Sequence, residues 1–169
     1  DLRKLVHTQG PQKEAQVLKW AEEIANILFY LHSQKPPVVH RDLTPDNLVL
    51  SQNNKITIID FGAANDYMGT ATGTLVGKQA YISPEQFRGE ANAQSDIYSL
   101  GATMHFLLTG HEPEPLTQSS PSSITKVSEF MNRLVEDCTA FDEEKRIKSA
   151  EEFIERLQAK TPTVDRVSI

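Results

Sequence analysis

Residues 96–108 are apolar nearly all the way round a helical projection. A helix without a polar face has to be surrounded by other elements, so this stretch is expected as the buried axis of a helical domain. Asp96 is expected as its N-cap and Gly110 as its end. The run is too short to span a bilayer, and Ser99, Thr103 and His105 interrupt it. With 169 residues, 38% of them hydrophobic and 24% charged, the chain suits one compact domain. A formal net charge of −6 excludes the basic face of a nucleic-acid binder and gives no attraction to anionic lipid. The lone Cys138 permits no internal disulfide. With no signal sequence at the start, this piece is expected to be cytoplasmic, without a membrane segment of its own.

The remaining elements read mostly as helix. A short helix over 1–7 is punctuated by Gly10-Pro11. From Pro11, Val17, Leu18, Ala21, Ile24, Ala25, Leu28 and Phe29 recur at helical spacing, with Glu14 at the positive helix end. Lys35-Pro36-Pro37 stops that helix, and Val38-Val39 reads as a short strand. Residues 48–50 and 55–59 read as a β-hairpin about a polar turn. Residues 63–80 have no periodicity and read as a mobile loop, after which Ser83-Pro84-Glu85 starts a helical turn. The stretch 111–123 reads as an exposed connection without regular structure, its serine cluster as a solvated linker. Phe130, Met131, Leu134, Val135 and Cys138 mark an amphipathic helix capped by Ser128. Ser149 to Glu152 has the capping-box pattern of a last helix buried through Phe153, Ile154 and Leu157.

The chemistry lies around the hairpin. His40-Arg41-Asp42-Leu43-Thr44-Pro45-Asp46-Asn47 precedes its first strand, and Asp60-Phe61-Gly62 follows its second. A carboxylate and an amide therefore share one loop, and a second carboxylate arrives at the same end of the hairpin. Phosphoryl transfer asks for such a set. One carboxylate takes or orients a hydroxyl proton, while an amide oxygen and another carboxylate hold Mg²⁺ on nucleotide phosphates.

These motifs resemble the catalytic core of a eukaryotic-type Ser/Thr protein kinase, and the order of elements resembles its larger, helical C-terminal lobe. Ser83-Pro84-Glu85 resembles the close of the activation segment, and Asp96 to Gly101 the start of the central helix. Asp142 to Arg146 resembles the late Asp-Pro-x-x-Arg motif without its proline. The resemblance implies a mainly α fold with a small β-hairpin over 1–160, an activation segment over 60–85 and a tail over 161–169. It implies ATP and Mg²⁺ as cofactors and a protein as substrate. Asp42 is then the catalytic base, Asn47 and Asp60 the metal ligands, and Val49 part of the adenine floor. Arg41 meets a phosphate on the activation loop, with Thr70, Thr72 and Thr74 as candidates. Asp96 anchors the catalytic loop, Glu85 pairs with Arg146, and His40 stacks with Phe61 in the column linking the two lobes.

Departures from the family carry expectations of their own. The smaller lobe, with its phosphate loop and strand lysine, lies outside these residues, so the fragment alone is expected to be inactive. Its lobe-facing surface near His40, Phe61 and Leu50 should be exposed, or covered by the smaller lobe or a second copy. The family's catalytic-loop lysine is Thr44 here, and its activation-segment threonine is Lys78. These residue types are exchanged, so Lys78 is expected to bring a cation to Asp42 and Thr44 a hydroxyl that orients it. The short connection after the central helix implies a reduced substrate-docking helix. One alternative is a pseudokinase or regulatory lobe acting through protein partners, although Asp42, Asn47 and Asp60 are all retained. Another is a small-molecule phosphotransferase of similar fold, which the combination of Glu85, Asp96 and Arg146 disfavours.

Overall fold

The computed structural model describes residues 1–61 and 78–160. These residues form one two-stranded antiparallel sheet and a set of helices: α1 (Leu2–Gln9), α2 (Glu14–His32), β1 (Leu48–Leu50), β2 (Ile56–Ile58), α3 (Pro84–Phe87), α4 (Ala93–Thr109), α5 (Glu129–Cys138) and α6 (Ala150–Lys160). The expected loop within 63–80 lies outside the described residues up to position 77, as do the tail 161–169 and Thr70, Thr72 and Thr74.

The apolar stretch is the axis of the molecule. Every residue of α4 from Ser95 to Thr109 is buried, with α2 packed on one side and α5 on another. The contact with α5 requires Gly101. A Cβ there would sit 2.4 Å from the Cys138 Cβ and 2.8 Å from the Thr139 Cγ2, closer than carbon atoms approach. Gly110 ends the helix in the left-handed conformation, φ 73°, which glycine adopts at little cost. The cap at the other end is Asn92, whose side chain accepts from the Gln94 N–H, while Ser95 returns a bond to the Asn92 N–H. Asp96 is therefore not the N-cap. It lies inside the first turn, and its carboxylate is left for another task.

Several boundaries differ from the sequence reading for local reasons. α2 starts at Glu14, not Pro11, because the Gln12 N–H is drawn to the Leu107 carbonyl at 2.7 Å. Phe29 is half exposed, so the buried stripe of α2 ends at Leu28. Val38-Val39 is not a strand among the described residues. The Val38 N–H closes back onto the Leu31 carbonyl at the end of α2 instead of joining a ladder. The connection 111–123 is less solvated than expected, because it contains a 3-10 turn, Pro121–Ser123, with Ser119 and Pro121 buried. No α-helix occurs between α4 and α5, in keeping with a reduced docking helix. Ser128 caps α5 through the Met131 N–H, as expected. Ser149 accepts from the Glu152 N–H, but Glu152 returns its bond to the Lys148 N–H, one residue further out than a capping box. No described helix is long and apolar enough to cross a membrane.

Candidate active site

The loop 40–47 runs into β1, and α4 holds its start. Asp96 is completely buried. Its Oδ2 accepts from the His40 N–H and its Oδ1 from the Arg41 N–H, both at 2.9 Å, while His32 Nε2 lies 2.8 Å from Oδ2. A buried carboxylate with several donors is a strong anchor, because losing any donor leaves charge unsatisfied. The anchor also supports strain. Arg41 has φ 70°, a conformation disfavoured for a residue with a Cβ by roughly 1–3 kcal/mol. Its carbonyl accepts from Gln86 Nε2 at 2.6 Å, tying the bend to α3.

His40 is buried, against the expectation of exposure, and ties the loop to the end of β2. Its Nδ1 accepts from the Asp42 N–H at 3.2 Å, which assigns the proton to Nε2, and Nε2 then donates to the Ile59 carbonyl at 3.0 Å. The ring meets Phe61 edge to face at 4.8 Å, as expected of the stacked pair. Phe61 keeps half its surface open and Leu50 is partly exposed, so only these two fit the exposed lobe-facing surface.

Asp42 is mostly buried, with a side chain 13% exposed. Asn47 Nδ2 donates to its carbonyl at 2.8 Å and to its Oδ2 at 2.9 Å. Both amide hydrogens of Asn47 are thereby used on Asp42, so the amide oxygen is the group left to face a cation. The Ile59 N–H donates to the Asn47 carbonyl at 3.0 Å, which brings the end of β2 beside the loop. Asp60 follows there, exposed and at φ 57°. One amide oxygen and one solvent-facing carboxylate at the same end of a hairpin suit Mg²⁺, which keeps water and phosphate oxygens in its remaining positions. No cluster of three His, Cys, Asp or Glu side chains occurs among the described residues. Val49 lies in β1, opposite Thr57, and is partly exposed.

Lys78 reaches this loop from the other wall. Its Nζ lies 3.3 Å from Asp42 Oδ2, with a third of the side chain exposed. Thr44 does not do what the exchange of residues suggested. It is buried, and its hydroxyl is directed at Asp46 Oδ2, 3.5 Å away, not at Asp42. The group that orients Asp42 is Asn47. Sequence reasoning missed Arg3, which bonds Asp46 Oδ2 through Nε at 2.9 Å. No local signal announces a partner forty-three residues away.

The ion pair at the base of the site is as expected. Arg146 Nη1 and Nη2 donate to the two Glu85 oxygens at 2.6 and 3.1 Å, both side chains being essentially inaccessible. Burial works against the Glu85 charge, but the Arg146 guanidinium outweighs it and holds the carboxyl below its usual range.

Comparison with known proteins agrees with this architecture. The protein kinase domain family matches residues 1–169. Serine/threonine-protein kinase PknB of Mycobacterium tuberculosis is 36% identical over 129 residues, covering 73% of this chain and 20% of the relative. Serine/threonine-protein kinase PknA of a Nostoc species is 31% identical over 167 residues, covering 89% of this chain and 29% of the relative. Among solved structures, a crystal structure of Rad53 1-466 in complex with AMP-PNP matches with a TM-score of 0.75 at 26% identity, over 93% of this chain and 43% of that one. The chain thus spans under a third of the length of these curated relatives. A mostly helical chain with a single β-hairpin, an Asp96-anchored catalytic-type loop and a family match along its whole length belongs to the protein kinase domain family.

Proposed function

We propose that this chain is the catalytic-loop lobe of a protein kinase that transfers a phosphoryl group from Mg·ATP to Ser/Thr hydroxyls of proteins. The observation that carries the reading is the arrangement about Asp42, a carboxylate whose Oδ2 is held by Asn47 and also approached by Lys78. The Ser/Thr kinases among its relatives support the choice of acceptor.

Mg·ATP, when bound, supplies the phosphoryl group and a cation that offsets its charge. Asn47 and Asp60 would hold the metal, and Val49 would lie under the base. Asp42 accepts the proton of the acceptor hydroxyl, or orients that hydroxyl for in-line attack, with Asn47 fixing its rotamer. Lys78 brings positive charge to the space where the transferred group carries negative charge on its outer oxygens, and it needs no reorganisation to do so. Arg41, at the strained bend beside Asp42, is proposed to receive a phosphate from Thr70, Thr72 or Thr74 by charge-assisted bonds. The half-open ring of Phe61 is proposed to meet the nucleotide-covering lobe. Taken alone, these 169 residues are expected to bind Mg·ATP weakly and to show no turnover.

The test is Asp42→Asn in the full-length protein, with phosphate transfer to a protein acceptor measured by intact mass. Loss of a general base lowers the rate by about 10²–10⁴. Transfer at the wild-type rate in that variant would overturn the reading. Absence of transfer in the wild type, with partner binding retained, would favour the regulatory lobe.

A further inference from the structure

Arg3, in the second turn-forming position of α1, has a separate bond from each of its three nitrogens. Nε donates to Asp46 Oδ2 at 2.9 Å, Nη1 donates to Glu112 Oε1, and Nη2 lies 3.4 Å from the Tyr81 hydroxyl. Tyr81 in turn donates to Glu112 Oε2 at 2.5 Å. Arg3 Cζ lies 4.9 Å from the Phe106 ring centroid and 5.7 Å from that of Tyr81. Its side chain is only 19% exposed, whereas Asp46 and Glu112 are about twice as open. Four parts of the chain therefore meet at one cation: α1, the 3-10 turn Pro45–Asn47, the segment leading to α3, and the end of the central helix.

Two of these parts are the walls of the site. Asp46 is the middle residue of the turn that ends at Asn47, and the Asn47 N–H closes that turn onto the Thr44 carbonyl at 3.0 Å. The Thr44 hydroxyl is directed at the same Asp46 oxygen that Arg3 holds. On the opposite wall, the Tyr81 N–H donates to the Lys78 carbonyl at 3.1 Å, so the turn that presents Lys78 ends on the ring Arg3 touches. Burial alone would lower the Arg3 pKa, but Tyr81, Glu112 and Asp46 raise it above its usual value, so the charge persists. An arginine suits the task because its fork offers rigid donors in several directions, whereas a lysine offers one mobile point charge.

We propose that Arg3 is a positioning residue for the reaction at Asp42: it locks the turn carrying Asn47 to the segment carrying Lys78, so that α1 sets the spacing of both walls. The proposal rests on the reading of Asp42 and Asn47 as the phosphoryl-transfer site. Were Arg3 only a strut, its loss would lower stability and leave turnover per folded molecule unchanged.

The experiment measures kcat, and KM for the acceptor, in the full-length protein with Mg·ATP and casein, alongside a thermal melt of each variant. Arg3→Met lowers kcat by about tenfold or more, because small misplacements of reacting groups are expensive, and leaves KM within about twofold. Arg3→Lys loses less. Asp46→Asn falls in the same direction, and the double variant Arg3→Met/Asp46→Asn falls no further than the lower single variant, since both remove one coupling. If Arg3→Met does not fold, Arg3→Lys with Asp46→Asn reads the same coupling. Wild-type kcat in a folded Arg3 variant, or strictly additive losses, would overturn the proposal. Asp42→Asn run in parallel keeps the two readings apart. Turnover retained there removes the site itself, whereas an inactive Asp42→Asn beside a fully active Arg3→Met removes only the role of Arg3.

Discussion

Glu85–Arg146 and Asp42–Lys78 are both carboxylate–cation pairs, and each ties one end of the stretch 78–85 to another part of the chain. The first is sealed. Arg146 meets Glu85 with two bonds, and its other donors reach the carbonyls of Ala140, Gln94 and Phe141. Glu85 Oε1 also accepts from Ser95 Oγ at 2.8 Å, and the guanidinium lies over the Tyr98 ring. The second pair meets at 3.3 Å with a third of the lysine in solvent. Arginine in the sealed pair provides a fixed fork, and lysine in the open pair a compact point charge. A buried pair with every polar atom matched holds one geometry.

The largest test of this contrast is Arg146→Met. It strands the Glu85 carboxylate in the interior and should cost about 3–5 kcal/mol of unfolding free energy by urea titration. Glu85→Gln added to it should cost far less than a second such loss, because the stranded charge is then gone. An Arg146→Met protein as stable as wild type would show that the pair does not hold the segment.

Lys78→Ala should do the reverse. We expect kcat to fall by about 10²–10³, the effect of losing one preorganised electrostatic donor. Stability should change by about 1 kcal/mol, far less than for Arg146→Met, because the pair is only partly buried. Near-wild-type turnover would make Lys78 a bystander. Exchanging the two residues, Thr44→Lys with Lys78→Thr, should not restore activity, because position 44 is buried and engaged with Asp46.

Acid titration separates the interior further. Burial pushes the His105 pKa down to about 4, with nearby His111 acting in the same direction and Glu112 against it. A histidine held neutral in the fold contributes stability above its unfolded value near 6.5, and that stability is lost as pH falls from there toward 4. Glu85, whose folded pKa lies below its ordinary 4.5, contributes stability that is lost only as pH falls below that value. The slope between pH 6.5 and 4.5 should reach at most about 1.4 kcal/mol per unit and disappear in His105→Leu, while Glu85→Gln alters the slope only below it. A His105→Leu protein with an unchanged acid profile would rule this assignment out.

The smallest effect scales the others. Ser128→Ala removes the cap of α5 and the Oγ bond to Glu14, neither of which touches either pair, and should cost about 1 kcal/mol with turnover unaltered.

Features set by near neighbours along the chain were legible without coordinates. The buried axis α4 follows from its all-round apolarity, the caps at Ser128 and Gly110 from residue type, and the approach of Asp60 to the 40–47 loop from a hairpin that returns the chain to its starting end. What misread was whatever a distant partner decides. The start of α2 depends on the Leu107 carbonyl capturing Gln12, and Val38 closes a helix in place of pairing in a sheet. The N-cap of α4 is Asn92, closed by Ser95, which leaves Asp96 to hold the backbone of His40 and Arg41.

The sequence by itself therefore determined the helices, the hairpin and the order of the phosphoryl-transfer motifs, since these depend on spacings of one to a few residues and on side-chain type. Only the tertiary structure decided which charges meet. Lys78 reaches Asp42 across thirty-six residues, and Arg3 joins Asp46 and Glu112 across forty-three and one hundred and nine. Charge attraction has no period along the chain. Any arginine could in principle meet any carboxylate, and the choice is made when apolar burial around α4 brings particular backbones together and leaves each remaining charge with few neighbours.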